Sequence, residues 1–152
     1  MAQKQIVSFR DLEVWNLAMD LVLLVYDLAT GLPNSERFEL SSQLRRAAVS
    51  IPSNIAEGHA RRGKPYRNHV LIALGSTAEI DTQIEIAVRL GLLDAPHVAP
   101  ARALLARVGQ MLHGLERSLK RQQIAAIGSS LAPLICAIGG GLLMRLWFTF
   151  SV

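Results

Sequence analysis

The sequence predicts an all-α protein, an antiparallel up-down-up-down four-helix bundle followed by an atypical hydrophobic C-terminal tail. Hydrophobic residues make up 51% of the chain and aromatic residues only 5%, so its core is expected to be aliphatic, which suits packed helices. Runs of β-branched and aromatic residues bounded by turn residues, which indicate strands, are absent from the sequence. Apolar residues recur instead at steps of three and four in four long segments, the spacing of one helix face.

The first predicted helix runs from about Phe9 to Ala29. Ser8 can cap it, with Asp11 three residues later in a capping-box position. Its apolar residues form two stripes at helical spacing, Leu12, Trp15, Met19, Val22, Tyr26 and Ala29 in one and Leu17, Leu21, Leu24 and Leu28 in the other. A helix that is apolar over more than half of its circumference needs neighbours on two sides, which predicts self-association.

The second predicted helix is capped by Ser35. Its core face consists of Phe38, Leu44, Ala47, Ala48, Ile51 and Ile55. Pro52 lies inside this pattern, where it removes one backbone donor, so we expect a kink near residues 49–52 rather than a stop. Gly58 and Gly63 are expected to loosen the chain afterwards.

The third helix should start at Pro65, which suits a first turn, and end before Gly91. Its apolar residues are Val70, Ala73, Thr77, Ile80, Ile84 and Ala87, with Leu71, Leu74, Ala78 and Ile86 widening the face. The fourth helix starts near Pro96 and carries a heptad seam of Val98, Ala101, Leu105, Val108, Leu112, Leu115 and Leu119. Such a seam indicates packing at shallow angles, and the short connections predict antiparallel neighbours.

The chain divides into a bundle, residues 1–123, and an apolar C-terminal extension, residues 124–152. The bundle holds every charged residue except Arg145. Residues 124–144 carry no charge and, as a helix, are long enough to span a bilayer, and Lys120 and Arg121 precede them as a cytoplasmic flank would. Pro133 and three consecutive glycines from 139 to 141 argue against an isolated helix. The extension is therefore a membrane anchor, an adventitious end or a segment that packs on the bundle.

Charge and cysteine content indicate which partners and which cellular compartment suit the protein. The net charge of +4 and the pI near 9.8 permit an anionic partner without requiring one. The single cysteine, Cys136, cannot form an internal disulfide, and the first fifteen residues lack the apolar core of a signal peptide. These features predict a cytoplasmic protein, or a membrane-associated one if the extension is an anchor.

Three segments carry a family resemblance: FRDLEVW near the start, QLRRAAVSIPSNIAEG in helix two, and ALGSTAEIDTQIEIAVRLGLL in helix three. Over roughly residues 8–121 the chain resembles the four-helix bundle proteins known as 23S rRNA intervening-sequence proteins. The accessory variability proteins of diversity-generating retroelements share this fold. The resemblance implies a small cytosolic bacterial protein, a ring-shaped homopentamer, and association with nucleic acid through basic surfaces, which is best supported for the retroelement branch.

A cluster of basic residues is the candidate nucleic-acid-binding site: Arg45, Arg46, Arg61, Arg62, Lys64 and Arg67. Such side chains can neutralise phosphates without reading sequence, and those on the turn are the better candidates. Alternatively, Arg45 or Arg46 pairs with Glu57, Glu79 or Asp81, either inside the bundle or across a subunit interface. Tyr66 is the one aromatic residue close to the turn. A structural motif of Pro52, Asn54, Glu57 and Gly58 is expected beside it, in which Asn54 satisfies a carbonyl that the proline leaves free.

The sequence offers no set of residues for catalysis. It lacks the Glu-x-x-His pairs of di-iron bundles, any His-x-x-x-His pair, a Gly-x-Ser-x-Gly nucleophile and a phosphate loop. We therefore expect no metal, no cofactor and no enzymatic activity. The leading interpretation is an oligomeric nucleic-acid-binding or scaffold protein, and the alternatives are an assembly module that recruits a partner such as a reverse transcriptase, or a membrane-tethered bundle.

Overall fold

The computed structural model describes the backbone of residues 7–149 and the side chains of residues 7–128. Four α-helices follow one another along the chain: α1 (Glu13–Gly31), α2 (Leu40–Arg61), α3 (Gly63–Arg89) and α4 (Ala95–Thr149). Short 3-10 helices at Phe9–Asp11 and Asn34–Glu36 precede the first two. No strand occurs within residues 7–149, which confirms the all-α prediction.

The helices form an antiparallel bundle in which each helix packs against the next, and α4 closes the ring against α1. One residue separates α2 from α3, so the two must run in opposite directions side by side. The largest fully buried side chains are aliphatic and come from all four helices: Leu21 and Leu28, Leu44, Ile51 and Ile55, Ile80 and Ile84, and Leu112. Their burial supplies the main driving force for packing the helices.

The predicted capping box is present, but it caps the 3-10 helix Phe9–Asp11, whereas α1 begins only at Glu13 and has no side-chain hydrogen bond at its cap, Leu12. The Asp11 carboxylate accepts a hydrogen bond of 2.9 Å from the backbone N–H of Ser8, and the Ser8 side chain accepts in return. The buried stripe of α1 lies between the two predicted ones and consists of Val14, Ala18, Leu21, Val25, Leu28 and Ala29. Met19 and Tyr26, which were expected to face inward, are exposed.

Within residues 7–128, α1 is the one helix that is both long and apolar enough to cross a membrane. Core helices of soluble proteins pass the same test of length and composition. The side of α1 that faces the bundle carries the stripe just described, and this stripe packs into the common core. We therefore assign α1 to the bundle core.

Helix α2 starts four residues later than predicted, with Glu39 instead of Ser35 at its N-cap position. Residues 34–36 form a 3-10 turn that includes Ser35, and the backbone of Glu39 is not helical, at φ −98° and ψ −106°. The predicted cap at Ser35 is therefore wrong, and Phe38 lies outside the core with 81% of its surface exposed. The helix does continue through Pro52 to Arg61, so the proline does not stop it.

The prediction for Gly58 is wrong. Gly58 lies inside α2, is buried, and lets α3 approach closely: a Cβ atom at this position would come 2.6 Å from Cδ2 of Tyr66. The chain reverses instead at Arg62 and Gly63, which have φ values of +53° and +58°. Helix α3 thus begins at Gly63, with Pro65 in its first turn, and Gly91 at φ +68° follows its end. Leu71 and Ile86, expected in its apolar face, are exposed.

Helix α4 carries the predicted seam and continues far beyond the bundle. Val98, Ala101, Leu105, Val108, Leu112 and Leu119 are buried, and Leu115 is half-buried. At about 1.5 Å per residue, the 55 residues of α4 extend for roughly 80 Å, twice the length of the 27-residue α3. The boundary between the bundle and the apolar extension, at residues 123 and 124, therefore lies within one continuous helix.

Candidate nucleic-acid interface

The structure divides the six predicted basic residues among three places. Arg45 and Arg46 lie in the first half of α2, whereas Arg61, Arg62 and Lys64 surround the turn to α3. Fifteen residues separate Arg46 from Arg61 within one helix, which corresponds to about 22 Å along its axis. The sixth residue, Arg67, lies in α3 and points towards α4.

Arg67 has a carboxylate partner in the bundle. Its Nε donates a hydrogen bond of 2.7 Å to Oε1 of Glu116 on α4. The two side chains retain only 29% and 14% of their exposure, so this ion pair is shielded from solvent and connects α3 to α4. Since its charge is already compensated, Arg67 is a poor ligand for phosphate.

Around the turn, Glu57 organises a polar network between α2 and α3. Arg61 donates to Oε1 of Glu57 at 2.5 Å, and Nδ1 of His69 lies 3.9 Å from Oε2 of Glu57. His69 Nδ1 also lies 3.0 Å from Oδ1 of Asn54. Asn54 in turn donates to the carbonyl of Ser50 at 2.9 Å. The carbonyl that Pro52 leaves without a donor belongs to Ala48, four residues before the proline. Asn54 therefore does not satisfy that carbonyl, and its expected role is corrected in this respect.

Arg62 and Lys64 are exposed and form no ion pair within residues 7–128. Gly63 and Lys64 border a groove of about 500 Å³ between the turn and α4. Its opposite wall consists of Leu119, Gln122, Gln123, Ala126 and Ile127. Tyr66, the aromatic residue expected beside these cations, is buried against Gly58 and unavailable for stacking on a base. Burial also raises its pKa.

A second groove, about 660 Å³ in volume, lies between the outer faces of α1 and α2. We call it the arginine–aromatic groove, and its lining residues are Tyr26, Arg37, Phe38, Ser42, Arg45, Arg46, Val49 and Ser50. The lining contains three guanidinium groups and two aromatic rings, and no carboxylate. Cations and exposed aromatic side chains therefore lie side by side in this groove.

Contacts within this groove hold the arginines in place without neutralising them. The guanidinium carbon of Arg45 lies 5.5 Å from the centre of the Tyr26 ring, and that of Arg37 lies 5.5 Å from the centre of the Phe38 ring. Arg46 donates a hydrogen bond of 2.6 Å to Oγ of Ser42. The Nε atom of Arg45 is buried and has no hydrogen-bond partner among residues 7–128. Within the bundle, Arg45 and Arg46 therefore pair with none of Glu57, Glu79 and Asp81, and a pairing across a subunit interface stays a prediction.

The acidic residues of α3 are engaged in side-chain interactions along the helix and with α4. Glu85 accepts hydrogen bonds from Arg89 at 2.8 Å and from Arg102 at 2.5 Å, and these bonds lower the pKa of its carboxyl group. Asp81 lies 3.9 Å from Arg102, and Glu79 accepts a bond from Gln83. Within the residues that the structure describes, no three His, Cys, Asp or Glu side chains come together as metal ligands would.

Of the basic and aromatic residues that line the arginine–aromatic groove, three were not identified from the sequence as site residues: Tyr26, Arg37 and Phe38. Tyr26 and Phe38 were assigned to the core because they match helical apolar spacing. The signal that could have identified them is the basic neighbour of Phe38, Arg37, in a segment rich in polar residues between two helices. The proximity of this segment to Arg45 and Arg46 depends on how α1 and α2 pack.

Comparison with known proteins supports the same fold. The family model described as 23S rRNA-intervening sequence protein matches residues 10–114. A crystal structure of a protein of unknown function from the S23 ribosomal protein family of Bacteroides thetaiotaomicron superimposes with a TM-score of 0.63. The two sequences are 20% identical, and the superposition covers 68% of this chain and 97% of the Bacteroides chain. No curated protein matches the chain. Because the family model covers the bundle from the first 3-10 helix into α4, the chain belongs to the 23S rRNA-intervening sequence protein family.

Proposed function

We propose that this protein is a non-enzymatic, oligomeric bundle that binds single-stranded nucleic acid in the arginine–aromatic groove. The observation that carries the proposal is the groove lining, in which Arg37, Arg45 and Arg46 lie beside Tyr26 and Phe38 with no carboxylate among them. The name of the family, which refers to sequences within 23S rRNA, is consistent with an RNA ligand.

The chemistry of the groove suits a flexible, unpaired strand. Guanidinium groups offer forked donors that match phosphate oxygens, and Arg37, Arg45 and Arg46 all line the groove. The exposed ring of Phe38 presents a flat apolar surface to a base. Stacking on aromatic side chains is tolerant of sequence and requires bases that are not already stacked in a duplex. We therefore expect preference for single strands and weak base specificity.

The test is a titration of the full chain, kept in a mild non-ionic detergent, with labelled single-stranded RNA and DNA at several salt concentrations. The variant R45Q/R46Q should weaken binding about tenfold or more and reduce the slope of log affinity against log salt by about 1.4, since each phosphate contact on a single strand contributes about 0.7. F38A should weaken binding by about fivefold or more with the slope unchanged, because stacking does not release counterions.

The matched control is R89Q/R107Q, which removes the same charge from positions outside the groove. Arg89 and Arg107 form exposed ion pairs with Glu85 and Glu13, so their loss should change affinity by less than about threefold. Equal losses in both double variants would assign the binding to diffuse net charge. Absence of binding at low salt would reject the proposal altogether.

A second candidate function, assembly with further copies or with a protein partner, rests on the outer face of α1. Met19, Leu23 and Tyr26 follow one another at helical spacing and are all exposed, Leu23 by 70%. Exposed apolar side chains that form a stripe on one helix are characteristic of protein interfaces. We propose that this stripe contributes to a closed homo-oligomer, in agreement with the pentameric ring that the resemblance implies.

Sedimentation analysis of L23E tests the assembly hypothesis. The introduced carboxylate should be poorly tolerated in an apolar interface and shift the protein towards the monomer. L90E is the control, because Leu90 is about equally exposed but lies at the end of α3. A wild-type protein that is monomeric at micromolar concentration would contradict the hypothesis. Tyr26 belongs to both surfaces, whereas Leu23 lies outside the groove lining and Phe38 lies outside the stripe, so L23E and F38A separate assembly from nucleic-acid binding.

A further inference from the structure

The apolar extension begins where α4 leaves the bundle. Leu119 is the last buried apolar residue of α4 within the described side chains. Ile124 and Ile127 follow it with 60% and 61% of their surface exposed, although both are as apolar as the core residues. The backbone remains helical through Thr149, so this part of the chain projects from the bundle instead of turning back onto it.

The length of the uncharged segment matches a lipid bilayer. Residues 124–144 contain no charged residue. At about 1.5 Å per residue they extend for roughly 31 Å, close to the ~30 Å thickness of the hydrocarbon core. A continuous helix satisfies its own backbone hydrogen bonds, which is a requirement for any segment in lipid. Pro133 and the glycines at 139–141 are compatible with this setting, since both residue types are more frequent in membrane helices than in soluble ones.

Both ends of the segment carry residues suited to a membrane–water interface. Lys120 and Arg121 precede it, and Arg145 and Trp147 follow it in the sequence. Basic side chains and tryptophan are enriched at these interfaces, where charge or an indole N–H remains in contact with water and headgroups. The uncharged segment is therefore bounded on both sides at a bilayer-matching separation.

The bundle places more cations at the level where the segment begins. The groove that joins Gly63 and Lys64 to Leu119 and Ile127 shows that the α2–α3 turn lies beside this part of α4. Five basic residues consequently surround the exit of α4, and we call them the basic pole: Arg61, Arg62, Lys64, Lys120 and Arg121. Arg61 is paired with Glu57, whereas Arg62 and Lys64 have no carboxylate partner within residues 7–128.

We propose that residues 124–144 cross a lipid bilayer and that the basic pole contacts the anionic headgroups of the leaflet next to the bundle. The charge arrangement favours a bilayer over a second copy of the chain, because anionic headgroups would compensate the charge of the basic pole and the basic pole of another copy would not. An anionic surface attracts the same five cations, and each contributes to binding near the surface. The proposal does not depend on the nucleic-acid function.

Insertion is tested by synthesis of the full chain in a cell-free system with phosphatidylcholine vesicles that contain phosphatidylglycerol. The wild-type chain should float with the vesicles and resist extraction with alkaline carbonate. L134R/I138R, which adds two charges near the middle of the segment, should reduce the carbonate-resistant fraction at least about tenfold, because charge at the bilayer centre is strongly disfavoured. Q122R/Q123R adds the same charge outside the segment and should remain inserted. A wild-type chain that carbonate extracts, or that does not float, would overturn the proposal.

The role of the basic pole is tested with R62Q/K64Q in the full chain, which removes its two cations without a carboxylate partner on the α2–α3 turn. The ratio of the partition coefficient on vesicles with phosphatidylglycerol to that on phosphatidylcholine alone should fall by roughly 25-fold, since each cation near an anionic surface contributes about a fivefold factor. Circular dichroism establishes that the helices remain. An unchanged ratio would overturn the assignment of the basic pole to lipid. If the same variant then loses RNA affinity, the pole binds nucleic acid instead.

Discussion

The ring of Tyr66 occupies the space in which a side chain at Gly58 would begin. A Cβ atom on Gly58 would lie 2.6 Å from Cδ2 of Tyr66 and 2.9 Å from Cβ of His69. The absence of a side chain at this position thus allows the last turns of α2 and the first turns of α3 to approach each other. The tight approach accompanies a connection of a single residue, Arg62.

We expect G58A to destabilise the bundle by about 1–3 kcal/mol, because the methyl group would overlap a buried ring and the backbone of α3 would have to move. Urea denaturation followed by circular dichroism measures the change. G75A is the matched control: Gly75 is also helical, with nothing within 4 Å of its Cβ position. It should stabilise the bundle by about 0.5–1 kcal/mol through helix propensity. Changes of the same sign in both variants would contradict the overlap at Gly58.

Removal of the Tyr66 hydroxyl should be tolerated at neutral pH and increasingly favourable at alkaline pH. The hydroxyl oxygen is buried and lacks a hydrogen-bond partner within the described residues, and burial raises the pKa of Tyr66 above its usual value of 10.0. The neutral phenol is therefore the form that the fold prefers. The free energy that this preference adds to folding is fully present below pH 10 and is lost as the pH rises through the raised pKa of Tyr66.

The measurement compares the free energies of unfolding of the wild type and Y66F between pH 7 and pH 11. The difference should be small at pH 7 and should grow in favour of Y66F above pH 10. Y26F removes the same group from an exposed ring and isolates the effect of burial. A difference between the wild type and Y66F that is independent of pH would show that the Tyr66 hydroxyl gains contact with water.

The ion pair between Arg67 and Glu116 should contribute more to stability than the pair between Arg61 and Glu57. The first is shielded and joins two helices, whereas the second is exposed and lies within α2. A double-mutant cycle with R67A and E116A should give a coupling energy of about 1–2 kcal/mol. The same cycle with R61A and E57A should give about 0.3–0.5 kcal/mol. Similar values for the two cycles would contradict the difference in burial.

Arg62 adopts a backbone conformation, φ +53° and ψ 177°, that glycine tolerates far better than arginine. We expect R62G to stabilise the bundle by about 0.5–1 kcal/mol, because the relief of strain exceeds the entropy that glycine adds to the unfolded chain. R62A removes the same charge but keeps a Cβ atom, and should bring no such gain. Thermal unfolding of both variants provides the comparison. Equal stabilisation would trace the effect to charge instead of strain.

The fold could be predicted largely from the sequence because its determinants are local or periodic. The capping box at Ser8 and Asp11 involves groups three residues apart, and the seam of α4 repeats over six turns. Helix α2 shows where local reasoning fails: Phe38 fits helical spacing, yet the non-helical backbone of Glu39 separates it from the helix. Gly58 was misjudged for a related reason, since its role depends on a ring from the next helix.

The candidate site was less predictable because it is assembled from three segments. Arg45 and Arg46 were identified as cations, but their neighbours Tyr26 and Phe38 come from α1 and the loop before α2. The sequence could not reveal that Arg67 is paired with Glu116, 49 positions away. Such contacts follow from the rotation of each helix about its axis, which the apolar pattern determined only roughly, as the displaced stripe of α1 shows.

Because α4 is one continuous helix, the direction in which its extension faces is coupled to the orientation of the bundle. Because no hinge separates the seam from the extension, any residue inserted between Leu119 and Ile124 would advance the extension by about 1.5 Å and rotate it by about 100° relative to the bundle. Four inserted residues would lengthen it by about 6 Å and leave a net rotation of only about 40°. The number of residues in this short stretch therefore sets both the distance and the direction at which the extension leaves the bundle, and insertions close to a whole turn change the distance with little change in direction.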